Sequence, residues 1–196
     1  MTKSTKKQDT KKRIILAASH RFRNHGFNGV GVDGIAKSAG VTSGAFYAHM
    51  GSKDGAVEAA LLLGLDEVVV AIPAMQQEHG KGWVVAFAEY YLGEDHRENR
   101  ESGCAMTTLS PEVVRATPEL RAIYEAKMQE IVLLMAEGLS GASRDECESR
   151  AWAILGILIG GLTLARAVES EGAANRISAA IKDAAINTAK RTKKLP

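Results

Sequence analysis

The nineteen residues from Val32 to Met50, V-D-G-I-A-K-S-A-G-V-T-S-G-A-F-Y-A-H-M, constrain the fold more tightly than any other stretch of this chain. Ile35, Ala36 and Ala39 fall on one face of a short helical pattern. Val41, Phe46 and Met50 mark the inward face of a second, with Phe46 and Met50 four residues apart. Ala39-Gly40-Val41 reads as a tight turn between them, because Gly40 lacks a Cβ and suits a left-handed backbone. Thr42 follows as the N-cap of the second helix. Two short helices joined this way form a helix-turn-helix, whose second helix can enter a DNA major groove.

Charge distribution agrees with that reading. Residues 1–60 hold ten Lys/Arg against four Asp/Glu, whereas residues 61–180 hold ten against eighteen and residues 181–196 five against one. A basic segment that coincides with the helix-turn-helix suits phosphate binding. The acidic middle argues against DNA wrapped around the whole molecule. With 45% hydrophobic and 24% charged residues, the 196-residue chain has enough apolar material for a real core. Four prolines and few alternating β-branched runs point to an all-α fold.

Residues 1–9 read as a flexible basic tail, residues 10–55 as the DNA-binding domain and residues 56–196 as a second helical domain, to which the resemblance given below assigns ligand binding and dimerisation. Asp9 or Thr10 caps a first helix reaching His25, with Ile15, Ala18 and Phe22 as its core stripe and Phe27 tucked inside after Gly26. Ser52 caps a fourth helix through Leu61, Leu62 and Leu65, which is expected to stop before Pro73. Trp83 to Leu92 is a helix, and the polar stretch from Gly93 to Gly103 is a loop. Cys104 begins a short helix toward Val114. Thr117-Pro118 opens another reaching about Leu139. Ser143 with Glu146 forms a capping box for a helix to about Glu171, and Asn175 to Lys190 is the last helix.

The run from Ala151 to Ala165 is almost wholly apolar but falls short of the ~20 residues of a membrane span. Burial on every side suggests a partner subunit, with a place in the internal core as the alternative; Trp152, Leu155, Gly156, Ile159 and Gly160 of this run, with Ile181 of the last helix, are assigned to a homodimer interface. Gly156 and Gly160, four apart, favour close helix approach. No membrane contact is expected.

Chemistry on small molecules finds no support. The histidines at 20, 25, 49, 79 and 96 have no metal-ligand spacing, and the two cysteines stand at unrelated positions. No P-loop, nucleophile elbow or dinucleotide fingerprint occurs, so no enzyme activity, cofactor or metal is expected. The absence of an apolar N-terminal segment and of a disulfide framework fits a cytoplasmic protein. An architectural DNA-binding protein would not need the long acidic helical region.

From Phe22 to Leu61 the chain resembles the tetracycline-repressor (TetR) family of bacterial regulators. The residues that carry the resemblance are Phe22, Gly26-Phe27, Ile35-Ala36, Ala39-Gly40-Val41, Gly44, Phe46-Tyr47, His49 and Ser52-Lys53. The string from Gly103-Cys104 to Val113 looks like a segment of one subgroup. The resemblance implies about nine helices, with a three-helix DNA-binding domain ahead of a ligand-binding and dimerisation domain. It also implies a four-helix bundle between two subunits, and a small, often hydrophobic effector that releases the protein from its operator. Relatives usually carry Thr or Ser at the positions of Val30 and Gly31, a basic or polar residue at Ser43, Thr or Ser at Ala45, and Phe at Met50. Since Ser43 and Ala45 lie where bases are read, no operator sequence carries over.

The expected partners are therefore a palindromic double-stranded operator, a second copy of the chain, and a small, hydrophobic effector. Lys37, Thr42, Ser43, Gly44, Tyr47, His49 and Lys53 are assigned to DNA. Thr42 also has a sufficient role as a cap, and Lys37 as a solvated lysine. Gly44 is a poor helix former, which leaves close approach to DNA or tight packing against the neighbouring helix as its reason. Trp83, Phe87, Tyr90, Tyr91, Cys104, Met106, Tyr124, Met128 and Trp152 are the effector-pocket candidates, although aromatic and Met residues at helical spacing also make plain core. Cys104, with Arg97 and Arg100 upstream, invites a redox reading against the alternative of a small buried residue.

Overall fold

The structure, a computed structural model, describes residues 3–101, 103–141 and 143–190. Among them every regular element is helical. The order is α1 (Lys3–His25), α2 (Val32–Ser38), α3 (Ser43–Met50), α4 (Lys53–His79), a 3-10 turn (Gly80–Gly82), α5 (Trp83–Leu92), α6 (Glu94–Glu98), α7 (Ala105–Val113), α8 (Pro118–Glu137), α9 (Arg144–Ala167) and α10 (Glu171–Lys190). They sort into two compact units. The first runs to Leu65 and includes Arg100–Tyr124; the second comprises Asp66–Asn99 and the chain from Glu125 onward.

The first unit is organised around Ile14, Ala18 and Phe22 of α1, all fully buried at a spacing of four. Ile14 therefore heads the stripe in place of Ile15, which is half-buried. Ile35 of α2, Phe46 of α3 and Ala56, Ala60 and Leu61 of α4 complete the core. Phe27 is buried as expected, edge-on to Phe22 with ring centroids 5.5 Å apart. Gly26 ends α1 at φ 71°, and a Cβ there would sit 2.9 Å from Glu112 Oε2. That carboxylate accepts the Phe27 amide at 2.9 Å, which ties the end of α1 to α7. Buried Arg23 makes a second tie by donating to the Gly103 carbonyl at 2.8 Å. These ties explain why α7 joins the first unit, beyond the 10–55 segment marked on the sequence.

Helix limits differ from expectation at four places, each for a local reason. Residues 3–9, expected as a tail, belong to α1; Met1 and Thr2 lie outside the described residues. Lys and Gln are good helix formers, and the Thr10 hydroxyl bonds back to the Lys6 carbonyl at 2.9 Å instead of capping. Helix α4 continues through Pro73 to His79. The Pro73 ring faces solvent, while Gln76, one turn on, donates to the Leu134 carbonyl at 2.8 Å and holds the second half in place. The expected loop after Gly93 contains α6, which has Glu94 and Asp95 in its first turn, where acids favour a helix start. Helix α9 ends at Ala167, and α10 begins at Glu171 because the Ser170 hydroxyl accepts the Ala173 amide at 3.2 Å.

In the second unit α9 packs along α10, and α5 lies against both. A Cβ on Gly161 would overlap Ile181, so the two helices meet at a glycine. Buried Arg150 donates to the Ala189 carbonyl at 2.8 Å and to the Ser140 carbonyl, which satisfies acceptors near the end of α10 and after α8. Trp83 is buried and its indole N–H donates to the Gly138 carbonyl at 2.8 Å. Helix α9 is long and apolar enough to cross a membrane by length and composition. Its Ala151, Ile154, Leu158, Leu162 and Ala165 are nevertheless buried inside this unit.

Gly161→Ala is expected to lower stability by about 1–3 kcal/mol through overpacking. Gly160→Ala, where a Cβ meets nothing within 4 Å, leaves the unit's stability unchanged or raised. Urea denaturation at low protein concentration measures both.

Candidate nucleic-acid interface

The turn between α2 and α3 is a Schellman motif. The Val41 amide donates to the Ala36 carbonyl at 3.0 Å, and the Gly40 amide to the Lys37 carbonyl at 3.1 Å. Gly40 has φ 65°, the left-handed conformation that the motif requires of its C′ residue. Thr42 then caps α3, its hydroxyl accepting the Ala45 amide at 3.2 Å. Gly51 closes α3 at φ 73°, and Ser52 caps α4 by accepting the Gly55 amide at 3.0 Å. Gly31 caps α2 without a side-chain bond.

This chain of caps holds α3 with Phe46 fully buried and its neighbour Tyr47 outside, 52% exposed. The Tyr47 ring stands edge-on to Phe46, with centroids 5.6 Å apart, leaving the phenol free to reach outward. Ser43 opens α3 and donates to Asp33 Oδ1 at 2.6 Å. A Cβ on Gly44 would meet nothing nearer than Thr42 Oγ1 at 3.9 Å, so close packing inside the protein does not explain this glycine. Lys37 is exposed on α2, and His49 and Lys53 are half-buried.

Two basic residues missing from the sequence assignment join this face. Lys7 and Lys11, four apart on α1, border a cleft of about 360 Å³ together with Gln8, Ala48 and His49. Their i, i+4 spacing was the available signal, but it has meaning only once residues 3–9 are helical. Also in the first unit, a cavity of about 490 Å³ is lined by Phe27, Lys53, Asp54, Glu58, Arg115, Leu120 and Ile123, among others. Glu112 borders it with its charge engaged by Arg115 at 2.7 Å. Glu119, also on its wall, has its carboxyl held below the ordinary range, first by a backbone hydrogen bond at its own position and then by the Thr117 hydroxyl.

The effector candidates fall into two groups. Cys104, Met106 and Tyr124 belong to the first unit, and Trp83, Phe87, Tyr90, Tyr91, Met128 and Trp152 to the second. None lines either cavity just described. Trp83, Phe87, Tyr91, Met106 and Met128 are buried. Phe87 packs against Trp83 and Tyr91, with centroids 6.3 and 5.6 Å away. Tyr90 is exposed and stands edge-on to His96. The Tyr124 phenol is pushed above its ordinary range by burial, partly offset by its 2.6 Å hydrogen bond with Ser110. Cys104 is 7% exposed at the N-cap of α7. Of the dimer candidates, Trp152, Gly156 and Gly160 lie on the open face of α9 with Ile159 at its edge; Leu155 is buried within the unit, and Ile181 is engaged by Gly161.

The helix-turn-helix, its exposed second helix and the surrounding lysines define a DNA-binding transcriptional regulator. Residues 14–60 match the family profile described as bacterial regulatory proteins, tetR family. The transcriptional repressor NemR of Escherichia coli K12 is 21% identical over 150 residues, 75% of each chain. A crystal structure of E. coli NemR in reduced form is similar with a TM-score of 0.75 at 19% identity, covering 89% of this chain and 96% of that one. A TetR-family regulator from Agrobacterium tumefaciens is similar at TM-score 0.75 and 14% identity, covering 91% and 98% of the two chains. FadR from Bacillus subtilis, in complex with stearoyl-CoA, is similar at TM-score 0.67 and 14% identity, covering 90% and 98%. Residues 14–60 are thus similar to the TetR family of bacterial regulatory proteins, and the solved regulators share the fold of the chain.

Tyr47→Phe is expected to weaken binding to every DNA sequence by a similar factor, about threefold to tenfold, as loss of one phosphate contact does. Lys53→Ala is expected to reduce the salt slope of binding by about one. Fluorescence anisotropy with several duplexes across a salt series reads both. Buried Cys104 is expected to stay unmodified under mild peroxide, as measured by mass spectrometry of the intact protein.

Proposed function

We propose that the protein is a cytoplasmic homodimeric repressor that reads a palindromic operator with one α3 per half-site and is released by a small effector. The observation that carries the DNA reading is α3 itself. It buries Phe46, exposes Tyr47, and has Lys7, Lys11, Lys37, His49 and Lys53 on the same unit. Phosphate contacts from these groups fix the register, and Ser43 with its neighbours at the start of α3 meets base edges.

The dimer reading is supported by the open face of α9. Trp152 is 44% exposed and Leu164 57%, with Gly156 and Gly160 between them offering close approach. Two such faces related by a two-fold axis match the two-fold symmetry of a palindrome. The proposed effector is small, with a hydrophobic body, held among the aromatic and Met residues of the second unit. FadR in complex with stearoyl-CoA is one protein of this fold that holds an apolar chain.

Selection of bound fragments from random DNA, at near-physiological salt, tests the central claim. A palindrome is the expected product. A folded, dimeric protein that enriches no sequence contradicts it. Gly160→Glu places a charge on the open face of α9. It is expected to shift the protein to monomer in size-exclusion chromatography and to lower operator affinity at least about tenfold, with helix content unchanged.

A further inference from the structure

Asp33 stands in the first turn of α2 and Ser43 is the first residue of α3. Ten positions apart in the chain, they are joined by the Schellman turn into a 2.6 Å hydrogen bond from the Ser43 hydroxyl to the Asp33 carboxylate. A serine hydroxyl has one proton and two lone pairs, whereas an ionised carboxylate only accepts. With its proton given to Asp33, Ser43 has nothing but lone pairs to offer a third group, and Asp33 likewise offers only acceptors.

We infer that Asp33 is a specificity-determining residue that sets the hydrogen-bond polarity of Ser43, so that the pair reads a base edge as acceptors only. The inference rests on the DNA reading by α3 proposed above. In the major groove the amino donors are N6 of adenine and N4 of cytosine, while guanine N7 and O6 and thymine O4 present lone pairs. The pair selects adenine or cytosine at the base facing Ser43 and turns away guanine and thymine. A serine free to rotate donates or accepts as its partner demands and discriminates far less.

Neighbouring groups leave this arrangement undisturbed. The Ala45 amide is engaged by Thr42, so it does not compete for Ser43. Gly44 keeps the space beside Ser43 open, its absent Cβ having nothing nearer than 3.9 Å. The carboxylate also has a cost that makes its placement informative. A negative charge beside α3 repels every phosphate, so Asp33 lowers affinity for DNA at large. What it contributes in return is selectivity.

The test compares base-preference matrices from random-DNA selection for the wild type, Asp33→Ala, Ser43→Ala and the double variant. The wild type is expected to give a palindrome with adenine or cytosine at one position per half-site, the position that Ser43→Ala flattens. Asp33→Ala is expected to erase a preference of about tenfold in that column alone, while raising affinity for random duplex. In the Ser43→Ala background, Asp33→Ala changes no column. Circular dichroism and thermal melting check folding, and Asp33→Asn, equal in size, is expected to relax the same column by offering Ser43 a donor. A wild-type palindrome whose column survives both Asp33 substitutions overturns this inference and leaves the DNA reading standing. So does a column that reads guanine or thymine, or one that still responds to Asp33 when Ser43 is gone. A wild type that enriches no palindrome overturns the DNA reading and this inference together.

Discussion

An eight-residue helix has almost no stability of its own in water, so everything α3 presents to solvent depends on Phe46 staying buried. Phe46 is fully enclosed by the first unit, and Tyr47, the next residue, is more than half exposed. That division fixes the rotation of α3 about its axis. The two ends are fixed separately, by the Thr42 cap and Schellman turn on one side and by Gly51 on the other. A helix held in rotation at its centre and in position at both ends presents a fixed surface. Ser43 and Gly44 at its start owe their orientation to that anchoring.

The same economy appears in α9, where three glycines within six residues do different jobs. Gly161 faces inward and lets Ile181 approach, while Gly156 and Gly160 face open space. An apolar run from Ala151 to Ala165 therefore has one side in its own core and one side unpartnered. Buried Arg150 closes the unit from the other end, and its donations to the Ala189 and Ser140 carbonyls offset the cost of burying a guanidinium.

Much of the fold was legible because local chemistry decides it. The caps at Thr42, Ser52, Thr117 and Ser143 are side-chain oxygens that accept amides three residues on, and each starts a helix where expected. Gly26 and Gly40 take the left-handed turns that end α1 and α2. Legibility failed where a distant partner settles the matter. Pro73 reads as a stop, yet Gln76 is held by the Leu134 carbonyl and α4 runs on. Lys7 reads as part of a tail until α1 extends back and brings it, with Lys11, beside His49. The aromatic and Met residues of the helical region read equally well as pocket or core. In the structure Trp83, Phe87 and Tyr91 pack on one another, which no spacing rule distinguishes from lining a cavity.

By itself, then, the sequence determined an all-α chain and the place of its helix-turn-helix, because caps, glycine turns and helical periodicity act over a few residues. It also placed the basic charge at the N-terminal end. Only the tertiary structure decided that Ile14 leads the α1 stripe, that α7 is tied to α1 through Arg23 and Glu112, and that Ser43 spends its proton on Asp33. The α7 ties and the Ser43 bond join residues ten or more positions apart. A chain specifies such contacts only through the packing of all its helices together, since the free energy that selects them belongs to the assembled core and to no single segment.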